Sequence, residues 1–351
     1  MKVGLKELQD LTRQLYLKLE YPASQIETIG EVLSYAHRRG NFQSLIQEVG
    51  VGTPHFAAQH EIMVEKETAL SYLINGGGNI GICALYLATD LLVEKAGKTS
   101  GFAIGGIHNS SAPGTGPAGY YAERVARRGF ISMIFCGSSK IVAPSGSSER
   151  AFGTNPIAIG IPTSGAPIVL DMATSIMPAF KVAEALIRGE ELPPNVGYDH
   201  TGGVTQDPRE VLKSGALMTF DRGPKSSGLA LIVELLANAL SGGCLPGDPG
   251  SSNWGNLAFA IDPDLLIGRE SFFKNVDRTI AYIKGLNPAD PPAISVCPVS
   301  YLSSDPNRRL PHKSWRSMSS YSGLIGNGCL RRFRKLQCAW CSPLTLPLAA
   351  Y

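Results

Sequence analysis

Three short stretches of this chain carry residue types at a spacing that can do chemistry. Lys140 stands in Ser138-Ser-Lys-Ile-Val-Ala-Pro144, directly after the apolar run Phe130–Cys136. A lysine at a strand end among small residues can hydrogen-bond a ligand or neutralise a developing oxyanion; the plainer alternative is a solvated surface lysine. Asp171-Met-Ala-Thr-Ser175 leaves a second apolar run, Ile168–Leu170. A carboxylate and hydroxyls beside backbone amides at a strand-to-helix junction suit a polar ligand, and they equally suit a loop with a helix cap. Gly76-Gly-Gly-Asn79 precedes an apolar helical pattern; it can cradle a phosphate or simply turn the chain.

The elements that must position these residues follow from periodicity. Leu8, Leu11, Leu15 and Leu19 have helical spacing, and so do Ile26, Ile29, Val32, Leu33 and Ala36. The chain therefore begins with a helical pair, ended by Gly40, with a short helix over 43–49. Runs 61–66 and 69–74 predict a hairpin. Helices follow at 80–95, 118–128, 175–188, 225–240 and 270–284, and strands at 101–107, 130–136, 157–161, 168–170 and 257–261. The 225–240 helix is apolar enough to predict burial. Residues 189–217 read as a long excursion. This order predicts an α/β core with a helical accessory domain at the chain ends. No Gly-x-Gly-x-x-Gly follows a strand, which argues against a Rossmann sheet.

Composition narrows the classes. The 351 residues are 44% hydrophobic and 17% charged, enough to bury one large core or two ordinary ones. The net charge of +3 is uneven. Residues 296–351 hold eight basic side chains and one acid, +7, which leaves −4 for the body. A mildly acidic body gives no reason to propose nucleic acid as partner. The N-terminus lacks the apolar core of a signal peptide, and no apolar run reaches the ~20 residues that cross a bilayer. A reduced, cytoplasmic protein is the expectation. His37, His55, His60 and His200 have no company that suggests a ligand set, so no metal site is expected.

The wording of several stretches is more specific than their spacing. Gly153-Thr-Asn-Pro-Ile-Ala-Ile-Gly-Ile-Pro162, Leu170-Asp-Met-Ala-Thr-Ser175, Gly119-Tyr-Tyr-Ala122, Val142-Ala-Pro144, Arg188-Gly-Glu190 and Gly228-Leu-Ala-Leu-Ile-Val-Glu-Leu-Leu236 occur in order. From about Leu5 to Asp290 the chain resembles the malate/L-lactate dehydrogenase family of the second type. That family also includes sulfolactate, ureidoglycolate and diketogulonate enzymes and cyclic imine reductases. The resemblance implies a mixed, largely antiparallel, non-Rossmann sheet. It implies hydride transfer between NAD or NADP and a small 2-oxo or 2-hydroxy acid, and a homodimer. It implies that Lys140, Asp171, Met172, Ala173 and Lys225 contact the cofactor. The plainer alternatives for Asp171 and Lys225 are a helix cap and a solvated lysine. The implied division is a helical region with hairpin over 1–75, a cofactor-binding α/β domain over 76–240, a strand and helix returning to the accessory domain over 241–295, and an atypical tail over 296–351.

Reduction of a carbonyl needs nicotinamide against the carbon, a proton donor at the oxygen and a cation for the carboxylate. Here the sequence departs from the family. Ser44 fills the histidine position of Arg39-Gly-Asn-Phe-Gln-Ser-Leu45. Ala112 stands where Asn109-Ser-Ser-Ala-Pro-Gly114 would carry the proton-donor histidine. Pro224-Lys225 replaces a His-Lys pair. All three histidines of the pattern are absent. The candidates left are His108, one residue before Asn109, whose plainer reading is structural; Lys140, if desolvation lowers its pKa; and a water held by Ser110, Ser111 or Thr115. Neighbouring strand residues face opposite ways, so His108 does not simply inherit the role. The departures leave open a non-catalytic or impaired member of the fold.

From Val296 the chain loses periodicity and becomes rich in Arg, Ser and Cys. The family has Pro-Gly-Glu here, and a shifted reading of codons for Cys297-Pro-Val-Ser-Tyr-Leu-Ser-Ser304 can spell Pro-Gly-Glu-Leu-Ser-Ile-Glu. A frameshift or misplaced exon boundary upstream of Cys297 is the expectation; a basic tail that binds an acidic partner is the competitor. Cys338-Ala-Trp-Cys341 lacks a second pair, so it does not read as a zinc site.

Overall fold

The computed structural model describes residues 4–41, 43–49, 57–98, 101–111, 114–248 and 253–287. The expectations for the tail and for Ala112 lie outside them. Helices α1 (Leu5–Lys18), α2 (Ala23–Arg38) and α3 (Leu45–Val49) open the chain. The hairpin β1 (Met63–Glu67) and β2 (Ser71–Asn75) follows, then α4 (Gly81–Lys98) and β3 (Phe102–Ser110). Next come α5 (Ala118–Ala126), β4 (Ile131–Cys136), β5 (Ile157–Ile161) and β6 (Ile168–Met172).

After α6 (Ala179–Arg188), residues 189–217 are more ordered than their Gly- and Pro-rich sequence suggests. They form β7 (Gly197–Tyr198), β8 (Val204–Thr205), α7 (Pro208–Lys213) and β9 (Ala216–Leu217), a small sheet ordered β8-β7-β9. Val196, Val211 and Leu217 give this excursion a core, shared with Val182 of α6. Two-residue strands lack the length for alternation, so periodicity does not reveal them. The chain then forms α8 (Pro224–Glu234), a π-helical turn (Leu235–Ala239), β10 (Trp254–Ile261) and α9 (Arg269–Lys284).

Seven strands make the main sheet, in the order β1-β2-β3-β10-β4-β5-β6. Only β2 and β3 pair in parallel; the other five pairings are antiparallel. The sheet is thus mixed and largely antiparallel.

One face is covered by α4 and α5, and α1–α3 pack outside them. Leu8, Ile29 and Leu33 from the first helices, Leu85 and Leu92 of α4, and Ile107 and Ile134 of the sheet belong to one apolar cluster. The N-terminal helices therefore have no core of their own. The opposite face carries a smaller cluster of Phe135, Val233, Ala237 and Leu257 under α8 and its π-helical turn. The expectation that 225–240 is a buried helix needs correction. Ile232 is 50% exposed and Leu240 60%, with Leu231 and Leu235 also open. The helix is apolar all round, so composition cannot tell which side meets the sheet.

Candidate active site at one end of the sheet

The pairing directions bring the motifs together. The C-terminal ends of β2, β3, β4 and β6 and the N-terminal ends of β5 and β10 all lie at the same end of the sheet. His108 and Ser110, the loop carrying Lys140, Asn155 and the Asp171 stretch therefore leave the sheet side by side.

A bulge sorts these residues between the two faces. Trp254 of β10 stands opposite Ser110, but Asn256 stands opposite Ile107. Two residues, His108 and Asn109, thus oppose Gly255 alone, with Asn109 at φ 54°. Ser110 returns to the side of Ile107, the α4 face. His108 faces the other way, with its ring against Gly242. Its Nε2 lies 2.7 Å from Glu65 Oε2. Asn75 donates to the same Glu65 carboxylate at 2.7 Å, and these bonds lower the Glu65 pKa.

On the α4 face, Asp171 is not the cap of α6. It lies within β6, and its Oδ2 accepts the Gly119 N–H at 2.8 Å in the first turn of α5. A Cβ at Gly119 would fall 2.9 Å from that side chain, which is why the first turn of α5 is glycine there. Asp171 keeps accessible surface along its edge strand, yet its carboxyl lies amid dense protein. That burial raises its pKa, partly offset by the Gly119 bond. Nearby, the Tyr35 hydroxyl donates to Glu123 at 2.7 Å, and Arg39 reaches the same oxygen at 3.0 Å while stacking on the Tyr35 ring. Cys136 is fully buried between Thr115 and Asp171, and its thiol is pushed up to about 12 by desolvation. Ser110 is 1% exposed and Asn256 0%. Ser110 Oγ and both amide atoms of Asn256 have no partner among the described residues.

On the other side, Lys140 is half-buried, and its Nζ donates to the Asp248 carbonyl at 3.3 Å. The bridges of Val142 to Phe152 and Leu217 anchor its loop. Met172 and Ala173 are half-buried at the end of β6, and Lys225 is exposed in the first turn of α8. The structure thus places Lys140 toward the loop after the π-helical turn, and Ser110 and Asp171 toward α4 and α5.

A network that sequence reasoning missed supports the Lys140 loop. Glu234, 5% exposed, accepts from Asn155 Nδ2 and Asn238 Nδ2, both at 2.7 Å. Asn238 Oδ1 in turn accepts the Gly255 N–H at 2.9 Å. Asn155 sits at φ 39°, unusual for a residue with a Cβ. The signal was available: Asn155 and Glu234 lie inside two of the quoted stretches, and a charge within an apolar helix asks for buried partners. An open groove lined by Asp10, Arg13, Glu27, Glu31 and Arg38 lies between α1 and α2 and holds none of these residues.

The residues fit a nicotinamide nucleotide. Lys140 offers a cation beside small residues, Met172 and Ala173 offer a partly apolar wall, and unpartnered buried polar atoms stand on the adjoining face.

The fold is therefore that of an α/β oxidoreductase built on a mixed sheet, outside the doubly wound parallel class. The model of the malate/L-lactate dehydrogenase family matches residues 3–298, and the chain belongs to that family. It is 31% identical over 298 residues to an L-sulfolactate dehydrogenase of Methanothermobacter thermautotrophicus, covering 81% of this chain and 85% of the relative. It is 36% identical over 304 residues to a Δ1-pyrroline-2-carboxylate/Δ1-piperideine-2-carboxylate reductase of Pseudomonas syringae, with 81% and 85% covered. The crystal structure of the Δ1-piperideine-2-carboxylate reductase from that organism superposes with a TM-score of 0.74 at 27% identity, over 96% of this chain and 99% of that one. Among the described residues no helix is long and apolar enough to cross a membrane.

Proposed function

We propose that this protein interconverts a small 2-hydroxy acid and its 2-oxo acid with NAD or NADP, using the end of the sheet where the motifs converge. The observation that carries the reading is this convergence on the two sides of the β3 bulge. A cation and a partly apolar wall lie toward the 241–248 loop, and unpartnered buried polar atoms lie toward α4. The cofactor supplies the hydride. Lys140, Asp171, Met172, Ala173 and Lys225 hold it. Lys140 has its ammonium at the Asp248 carbonyl, which suits a binding role better than proton donation. His108, tied to Glu65 on the opposite face, suits a structural role. Ser110 then remains as the group that can place a proton-donating water.

The same chemistry extends to a cyclic imine, whose C=N bond takes a hydride and a proton in the same way. Homodimer formation through the open α8 face belongs to this reading, as does a reducing, cytoplasmic setting, which the free thiols of Cys83, Cys136 and Cys244 suit. Titration of the purified chain with NADH and NADPH, followed by nicotinamide fluorescence, tests the reading. Saturable binding and turnover of a 2-oxo acid or cyclic imine are expected. Binding without turnover would favour the non-catalytic alternative, and no binding would refute the proposal.

A further inference from the structure

Two asparagines at the site's end of the sheet have left-handed backbones, Asn109 at φ 54° and Asn253 at φ 69°. A residue with a Cβ is strained there, and asparagine tolerates the strain better than most. Glycine would remove it, so an asparagine in such a position points to a use for its amide. In half-buried Asn253 both ends of the amide are used. Its Oδ1 accepts the Asn109 N–H, and its Nδ2 donates to the Gly242 carbonyl at 3.1 Å. Its own carbonyl accepts the Cys244 N–H at 2.8 Å.

The β3 bulge explains why Asn109 needs this partner. Two residues of β3 there oppose one of β10, and the extra residue has no ladder partner for its N–H. The side chain of Asn253 replaces the missing strand bond. From the β2 side the bulge is already held. Gly76 N–H donates to the His108 carbonyl and Gly78 N–H to the Asn109 carbonyl, both at 2.8 Å. Asn109 Nδ2 reaches Asn75 Oδ1, also at 2.8 Å. Asn253 carries this rigidity across to the 242–248 segment.

That segment leads to Lys140. The Gly243 N–H bonds the Asn238 carbonyl at 2.8 Å, which ties its start to the π-helical turn. Residues 245–248 close a turn: Asp248 Oδ2 accepts the Leu245 N–H at 2.7 Å, and the Asp248 N–H donates to the Leu245 carbonyl at 3.1 Å. The Asp248 carbonyl accepts from Lys140 Nζ at 3.3 Å, the one hydrogen bond of that ammonium among the described residues. A path of contacts therefore joins the bulge to the cation through Asn109, Asn253, Cys244 and Asp248. A lysine side chain is rich in rotamers, and fixing it before a ligand arrives removes part of the ordering cost of binding.

We infer that Asn253 is a positioning residue for nucleotide binding: it clamps the 242–248 segment to the β3 bulge and thereby holds the Lys140 ammonium in place. The inference rests on the functional reading above, in which Lys140 holds the cofactor. Asn253 acts through Lys140, so its loss is felt in affinity and not in the chemical step.

The test is a double-mutant cycle on the full chain. Asn253→Gly keeps the left-handed backbone and loses both side-chain bonds; Asn253→Ala loses them without added backbone freedom. Each should raise the Kd for NADH or NADPH about three- to tenfold, the scale of one side chain left to be ordered on binding, and leave kcat within about twofold. In a Lys140→Met background neither should weaken binding further, because residues that act through one another are not additive. Ligand-observed NMR, which reaches weak binding, reads both backgrounds. In the cofactor-free protein, exchange of the Asn109 amide hydrogen should be slow, and it should accelerate in both variants. Equal effects in the two backgrounds, an unchanged Kd, or an Asn109 amide that exchanges freely in the unaltered chain overturns the inference. Failure of the unaltered chain to bind either nucleotide refutes the functional reading instead, and amide exchange still decides whether the clamp exists.

Discussion

The two faces of the main sheet solve the same problem differently at their shared end. On the α4 face a large apolar cluster runs from α1 to β10, and the polar groups at its edge are sparse: Ser110 and Asn256, buried and unpartnered among the described residues, and Asp171, bonded to the Gly119 N–H. On the α8 face the apolar cluster is small, and the polar groups are dense and bonded to one another: Glu234 with Asn155 and Asn238, and His108 with Glu65 and Asn75, with Asn155 Oδ1 alone of these amide oxygens left without a partner among the described residues. A densely interbonded network makes a rigid support, whereas sparse buried groups with spare bonding capacity can serve a ligand. The comparison assigns support to one side and substrate chemistry to the other, with Lys140 between them.

The most damaging change should be at Lys140. Lys140→Met is expected to cost about 2–4 kcal/mol in cofactor affinity or kcat/KM, the scale of a preorganised polar contact; an unchanged kcat/KM would remove Lys140 from the site. Next is the supporting side. Glu234→Ala strands two buried amide donors and should lower unfolding free energy by about 2–4 kcal/mol in urea titration. If stability is unaffected, the network is no support and the contrast between the faces fails.

Asp171→Asn sharpens the comparison from the substrate side. Burial raises the folded-state pKa of Asp171 above its unfolded value. Its charged form therefore penalises folding at neutral pH, and the penalty fades as pH falls through the folded pKa toward the unfolded one. Asn keeps an oxygen for the Gly119 N–H and carries no charge. The variant should have a higher Tm than the parent at pH 7, an advantage that shrinks on acidification, along with reduced turnover. Glu65 has the opposite sign. Its lowered pKa contributes stability above its unfolded value that is lost as pH falls through the folded one, so His108→Ala should weaken acid resistance and leave turnover intact. The smallest effect belongs to exposed Lys225: Lys225→Ala should change stability by no more than about 0.5 kcal/mol, with a modest loss of cofactor affinity as its whole signature.

Much of this was readable without coordinates. Strand 157–161 has the bounds its pattern predicts, and the helices over 5–18 and 118–126 start where the spacing starts. The family was legible because ordered short motifs are far more specific than periodicity. The role of Asp171 was not legible as a contact. Its position after an apolar run looks like a cap, and only the sheet shows that its partner is Gly119, 52 residues earlier in the chain. Asn256 gave no signal at all, because a lone polar residue in a strand usually faces water.

What the sequence determined by itself is therefore the set of elements, the family and the loss of three histidines, since local periodicity and motif wording are properties of the chain. What the tertiary structure decided is which groups meet. The order of strands in the sheet gathers residues from five separate segments at one end. A single extra residue in β3 then turns Ser110 onto the face of Asn256, while His108, which precedes it, keeps the opposite face by ordinary alternation. Side-chain direction in a strand has period two, so one inserted residue reverses it, and where such a residue falls is settled by the pairing of β3 with β10.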